Sequence, residues 1–315
     1  MKILIKACAA VVLFSSAYQV QAAVQIECDR ACLSGFMNTF LEALVKHDPA
    51  SLPVTRNVKY TENGVRLNLG DGLWQTAMGK PTYRVDVIDE IAGSVGLLGR
   101  INENGNDNWY AVRLKVEKGK LISEIESLIA RRISMGAGGP QFGPVHSKPH
   151  PLMMQPVAKD GRLSRAELAA IGNSYFTGLD TDNSGRNVPF SPDCQRRENG
   201  VITSNDPSMK KGSMVWMNCK AQFDTGFSVI VTDIRERRFE VVDPVTGLAF
   251  GWGYFDHNGS PENFEGPPEQ GNDLANAFRQ PFSFYIAEIF KVVDGKIRQI
   301  EAVLTTVPYE MESGW

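Results

Sequence analysis

Tyr60-Thr61-Glu62-Asn63-Gly64 ends in a tripeptide that returns in the second half of the chain as Glu198-Asn199-Gly200, and the landmarks around the two copies follow in the same order. A helix signal precedes each copy. Asp29 can cap a helix whose apolar residues Leu33, Phe36, Met37, Phe40, Leu41, Leu44 and Val45 recur at helical spacing. Ser164-Arg165-Ala166-Glu167 is a capping box ahead of Leu168, Ile171, Tyr175 and Leu179. After the tripeptides, Trp74 answers Trp216, Tyr83-Arg84-Val85 answers Phe227-Ser228-Val229, and Gly99 and Gly105 answer Gly253 and Gly259. Trp109-Tyr110 then matches Phe284-Tyr285, Gly119-Lys120-Leu121 matches Gly295-Lys296-Ile297, and Ile125-Glu126 matches Ile300-Glu301. A preserved order of this length argues for a duplicated unit, each copy ending in two long strands joined by a Gly-Lys turn.

These landmarks divide the chain into residues 1–23, a first domain at 24–133, a Gly/Pro/His-rich linker at 134–160 and a second domain with insertions at 161–315. The insertions are Ser204 to Gly212 and Ser260 to Gln280; the longer one reads as a lid or a packing arm. With 315 residues, 43% hydrophobic and 22% charged, the chain is neither disordered, collagenous nor coiled coil, and it is long enough for two cores. The net charge is 33 − 36 = −3, or −5 once Lys2 and Lys6 are removed, so nucleic acid and anionic membranes are poor partners.

Lys2 and Lys6, the apolar run Ala7 to Phe14 and the small residues at Val20-Gln21-Ala22 read as a cleaved export signal, which places the mature protein in the periplasm or outside the cell. No later segment approaches the run of about 18 apolar residues that membrane insertion needs. Cys28, Cys32, Cys194 and Cys219 remain after cleavage. Of the three pairings open to them in an oxidising compartment, the local ones, Cys28–Cys32 and Cys194–Cys219, are expected.

Signatures of zinc proteases, serine hydrolases, P-loops and dinucleotide folds are missing, so no cofactor is expected. No metal is expected either. His146 and His150 lie in the linker, and the EF-hand-like Asp180 to Gly185 lacks an acidic residue at Ser191. His257, in Asp256-His257-Asn258-Gly259, reads as a solvated hairpin tip, and Arg235 to Arg238 as an exposed face or an interdomain ion-pair patch.

The stretches Tyr60 to Gly64, Gly70-Asp71-Gly72-Leu73-Trp74 and Gly119-Lys120 to Glu126 resemble exported bacterial and fungal members of the NTF2-like (SnoaL-like) superfamily. The resemblance implies an α+β fold: two cone domains in tandem, each with helices packed on a curved, mainly antiparallel sheet. It also implies a cavity mouth near Glu62 and Glu198, where isomerase-like relatives place a general base. On that reading the chain is a cofactor-independent lyase, dehydratase or isomerase acting on a small hydrophobic hydroxy or carbonyl compound, aromatic ones included. Glu198 or Glu62 is then the base and Tyr60 or Tyr285 the hydrogen-bond donor, with Arg197, Trp74, Trp216, Trp252 and Tyr254 as substrate-binding candidates. Asn-Gly is equally a turn signal, and aromatics on strands are commonly core. The competing reading is therefore a non-catalytic small-molecule-binding or assembly module in which the two cones pack face to face; a homo-oligomer fits either reading.

Overall fold

The computed structural model describes residues 28–131, 146–261 and 278–315. The export signal at 1–23, residues 134–145 of the linker and most of the longer insertion lie outside the described residues. The first unit comprises α1 (Arg30–Val45), β1 (Val54–Glu62), β2 (Val65–Leu67), β3 (Ala77–Gly79), β4 (Arg84–Asp89), β5 (Ser94–Glu103), β6 (Asn106–Glu117) and β7 (Leu121–Ala130). Its sheet runs β2-β1-β7-β6-β5-β3, with β4 also paired to β5. The second unit comprises α2 (Arg165–Asp180), β8 (Phe190–Glu198), β9 (Val201–Ser204), α3 (Cys219–Phe223), β10 (Asp233–Asp243), β11 (Leu248–His257), β12 (Phe282–Val293) and β13 (Lys296–Val307), in the sheet order β10-β11-β12-β13-β8-β9. In each sheet only the pairing of the first long strand with the last, β1 with β7 and β8 with β13, is parallel. The class is α+β, one helix-on-sheet unit per half, as the resemblance implies.

Capping chemistry starts both helices where the sequence places them. Asp29 accepts from Cys32 N, and Ser164 and Glu167 close a full capping box. α1 buries Leu33, Met37, Phe40, Leu41 and Leu44 on one face of the first sheet, and α2 buries Leu168, Tyr175, Phe176 and Leu179 on one face of the second. The opposite faces of the two sheets form a third core. Tyr83, Val85, Leu98, Trp109 and Leu128 of the first unit meet Phe250, Trp252, Tyr254, Tyr285 and Val303 of the second. Strand alternation thus feeds two helix-facing interiors and one shared intersheet layer.

The Glu-Asn-Gly repeat has a structural cause. Asn63-Gly64 and Asn199-Gly200 turn the β1–β2 and β8–β9 hairpins with φ of 50° and 79° and of 46° and 77°, the left-handed pair that a two-residue hairpin needs. Each Asn amide then pairs both ways with the last strand of its unit. Asn63 bonds the carbonyl and the N–H of Ile129, and Asn199 those of Leu304. The glycines are needed twice over, because a Cβ at Gly64 would collide with Tyr254 and one at Gly200 with Trp109, each an aromatic of the other unit.

Further reciprocal ties cross the intersheet layer. Arg30, the first residue of α1, grips Asp243 at the end of β10 with bonds of 2.6 and 2.9 Å; Arg165, the first residue of α2, reaches Asp89 at the end of β4 at 2.7 Å. Glu126 accepts from Tyr285, and Glu301 accepts from Tyr83. Glu126 also holds Arg113 and, from the second unit, Arg238 at 2.6 Å.

Three expectations need correction. Phe227-Ser228-Val229 is not a strand but part of a 3-10 turn; the counterpart of β4 is β10, since Asp89 pairs with Ser94 as Asp243 pairs with Leu248. Trp109-Tyr110 does not match Phe284-Tyr285. The β6–β7 turn holds three residues between the paired Glu117 and Leu121, and the β12–β13 turn two between Val293 and Lys296, so Trp109 corresponds to Tyr285 and every side chain behind it changes face. Residues 146–160 of the linker are packed: Met153 is buried between the sheets, and His150 N donates to Glu301 at 3.0 Å. His257, expected in solvent, is 2% exposed, because the rings of Phe278, Phe282 and Phe284 pack around it.

Both local disulfides are formed, Cys28–Cys32 and Cys194–Cys219. Cys194–Cys219, which ties β8 to α3, closes a loop with a sequence separation of 25 against 4 for the other. Loop-closure entropy therefore assigns about 3.5 kcal/mol to the long bridge and about 2 kcal/mol to the short one. Cys194→Ser/Cys219→Ser should accordingly lower the urea midpoint more than Cys28→Ser/Cys32→Ser; the reverse ranking would show that the long loop is already constrained when unfolded.

Candidate functional site

Glu62 and Glu198 occupy matching places, each the last residue of its strand with its side chain on the helix-facing side, yet their surroundings differ. Glu62 is saturated: it accepts from the Tyr60 hydroxyl at 3.1 Å, the Leu73 N–H at 2.7 Å and Arg131 at 3.2 Å. Burial, and then the Glu62 charge, raise the pKa of Tyr60 and keep it a donor. Trp74 is buried beside Phe40, and its indole N–H has no partner. This first interior is held by internal bonds.

In the second interior Glu198 forms an ion pair with Arg196 at 3.0 Å and keeps about a third of its side chain (31%) exposed. Arg196 is fully engaged. Its guanidinium bonds Tyr175 of α2 at 3.0 Å, Gln222 of α3 at 2.6 Å and Thr203 of β9 at 2.9 Å. Burial opposes its charge, but Glu198 and Tyr175 outweigh burial and leave its pKa above the ordinary value. The Gln222 amide is fixed in turn by the carbonyls of Thr203 and Met214, so α3, anchored through Cys219, forms one wall.

The residue that sequence reasoning missed is Glu288. Register sets Glu198 opposite Ala302 and Ala302 opposite Glu288, so the two carboxyls stand on one row and one face, two strand spacings or roughly 10 Å apart at their α-carbons. Glu288 is fully buried, and neither carboxyl oxygen has a hydrogen-bond partner. Burial first, and the like charge of Glu198 second, push its pKa up to about 8 against the pull of Arg196 and the Tyr175 phenol, which acts on it from outside hydrogen-bond geometry. The matching position in the first unit, opposite Ser127 and hence Glu62, is Val112. A signal was present: in Phe284-Tyr285-Ile286-Ala287-Glu288-Ile289-Phe290 the acid shares parity with Phe284, Ile286 and Phe290, all helix-facing.

The other candidates are not brought to this row. Tyr285, Trp252 and Tyr254 lie in the intersheet layer, where Tyr254 and Tyr285 stack at 4.7 Å. Arg197 is on the opposite face of β8 from Glu198, 3.8 Å from Glu301. Trp216 is 36% exposed. Tyr60, Glu62 and Trp74 belong to the first interior. Of the Arg235 to Arg238 cluster, Arg238 joins the interdomain ion pairs, whereas Arg235 and Arg237 pair with Asp256 and Asp180 of their own unit. The aromatic company of Glu198 and Glu288 is Tyr175, with Phe176 and Phe290 packed behind it.

A family model described as a domain of unknown function, DUF8021, matches residues 161–304, the stretch that contains α2, Arg196, Glu198, Gln222 and Glu288. No curated protein matches the chain. Among solved structures, an NTF2-like protein of unknown function from Cytophaga hutchinsonii is similar at 17% identity and a TM-score of 0.26, over 32% of this chain and 92% of that one. AclR, "a putative hydroxylase" from Streptomyces galilaeus, is similar at 18% identity and a TM-score of 0.27, over 46% of this chain and 83% of that one.

Proposed function

We propose that the second unit houses an acid–base site for cofactor-independent proton transfer on a small hydrophobic hydroxy or carbonyl compound, the work of a lyase, dehydratase or isomerase. The observation that carries the reading is Glu288, a fully buried carboxyl without partners on the same row as the partly exposed Glu198. Two carboxyls in unlike surroundings can divide the acid and base roles between them. Glu198, paired with and oriented by Arg196, takes a proton from a carbon next to a carbonyl. Glu288, still protonated near neutral pH, donates a hydrogen bond to the oxygen on which negative charge develops. Tyr175 and Gln222 hold Arg196, and through it Glu198, in place.

The assembly reading accounts for the intersheet residues. Trp252, Tyr254, Tyr285 and Arg197 join the two units, and the first unit serves as scaffold. Two disulfides, and no helix among the described residues long and apolar enough to cross a membrane, are consistent with export to the periplasm or beyond.

The test is deuterium exchange. A panel of small ketones and hydroxyaromatic carbonyl compounds is incubated with the full protein in D2O, and loss of the C–H signal next to the carbonyl is followed by proton NMR. Wild type should accelerate exchange for at least one compound, and Glu198→Gln should lower that rate at least about a hundredfold with the circular dichroism unchanged. No acceleration by wild type, or equal rates for the two proteins, would defeat the proposal.

A further inference from the structure

A second buried polar group in the same interior lacks a partner, at the far end of β11. His257 shares strand parity with Gly251 and Phe255, which face α2, and its Nδ1 lies 2.6 Å from the Ile230 carbonyl oxygen. A carbonyl only accepts, so Nδ1 carries the proton and Nε2 keeps its lone pair. That nitrogen is buried and bonded to nothing. Three phenylalanine rings frame the imidazole, with centroids at 4.6 Å for Phe278, 4.7 Å for Phe282 and 5.3 Å for Phe284. Burial pushes the imidazole pKa down to about 4, so the ring is neutral and remains an acceptor.

The first unit supplies an internal control. Glu103 pairs with Asn106 as His257 pairs with Phe282, and it stands at the same place in its sheet. There the protein provides every partner: Glu103 accepts from Thr76, Asn108 and Arg131. In the second unit the same place holds a lone pair among rings. A buried acceptor left in this state is costly, and a donor from outside the chain would recover that cost.

Chemistry narrows the donor. Carboxylates and ketones have no proton to give, and an ammonium would lose its hydration against three phenylalanine faces. A phenolic O–H is a strong neutral donor on a flat apolar body that packs against aromatic rings. We propose that His257 Nε2, framed by Phe278, Phe282 and Phe284, binds the hydroxyl of a phenolic compound. The site is separate from the carboxyl row: His257 lies six positions along β11 from Gly251, the partner of Glu288, or roughly 20 Å of extended strand. It therefore does not depend on the acid–base proposal.

Phenol is the probe and toluene its matched control. The full protein, labelled with 15N-histidine, is titrated with each while the Nε2 resonance of His257 is recorded. Phenol should saturate and move that resonance from the free-lone-pair position toward the hydrogen-bonded one, and toluene should bind roughly tenfold more weakly, the effect of one hydrogen bond. His257→Phe should lose the preference for phenol over toluene, and His257→Gln, which keeps an acceptor, should retain part of it. Glu198→Gln and Glu288→Gln should leave phenol binding unchanged, which separates a failure here from a failure of the acid–base reading. The proposal is overturned by equal affinity for the two probes, by the absence of saturable binding, or by an Nε2 resonance already hydrogen-bonded without ligand, which would mean an ordered water only. Should His257→Phe fail to fold, the wild-type titrations decide alone.

Discussion

Glu288→Gln is expected to be more stable than wild type above pH 8 and nearly equal to it below pH 4.5. The native carboxyl titrates at about 8, against an ordinary value of 4.5. Between those values the folded chain keeps a proton that the unfolded chain releases, so stability falls as pH rises through the window. The stabilising proton is fully present below the unfolded value and lost through the folded one. A gap of 3.5 units corresponds to roughly 5 kcal/mol for a group with no exposed surface. Glutamine mimics the protonated form and does not titrate. His257, pushed down to about 4, makes stability rise with pH from there to about 6.5, and Lys291, pushed down to about 8, does so from there to about 10.5. Both groups remain in the variant and cancel in the difference. Urea unfolding of both proteins from pH 5 to 9 reads that difference, and parallel profiles would show that Glu288 is ionised or solvated in the native protein.

Glu126→Ala should destabilise the protein by about 3–5 kcal/mol, or roughly 10 °C in Tm. The glutamate is completely buried and answers Arg113 from its own unit and Arg238 and Tyr285 from the other. Its removal leaves the Arg238 guanidinium in the intersheet layer without a counter-ion and Arg113 with only the partly exposed Glu124, which costs more than the pair itself contributes. Glu124, which pairs with the same Arg113 but is 36% exposed, is the control, and its alanine variant should lose no more than about 1 kcal/mol. Similar losses in scanning calorimetry for the two variants would mean that water reaches the buried cluster.

The fold was legible because its signals are local and repeated: two capped helices, two Asn-Gly hairpins and a Gly-Lys turn near the end of each unit. The candidate site was legible only in part. Glu198 and its arginine neighbours were visible, but strand parity decides which arginine shares its face, and that parity is Arg196 rather than Arg197. Glu288 was hidden by the alignment of the halves, where one residue fewer in the β12–β13 turn shifts the register and puts Tyr285 where Trp109 stands. The aromatic candidates failed for a related reason. Trp252, Tyr254 and Tyr285 have the composition of a pocket wall, yet composition does not say which side of a sheet a wall faces. His257 was misread because a turn signal in Asp256-His257-Asn258-Gly259 resembles that of the first unit, and nothing in that signal says that Phe278, Phe282 and Phe284 pack on the imidazole.

The reciprocal ties between the sheets have a consequence in mass action. Two separate chains joined through such a face would fall apart on dilution, because their folding and their association would be one equilibrium. Here the two units are parts of one chain, and residues 146–160 of the connection are themselves packed, with Met153 buried in the intersheet core and Gln155 offering its carbonyl to Lys291. The local concentration of one half around the other is set by the length of the connection, not by how much protein is present. This face would therefore hold as well at extreme dilution as in a concentrated solution.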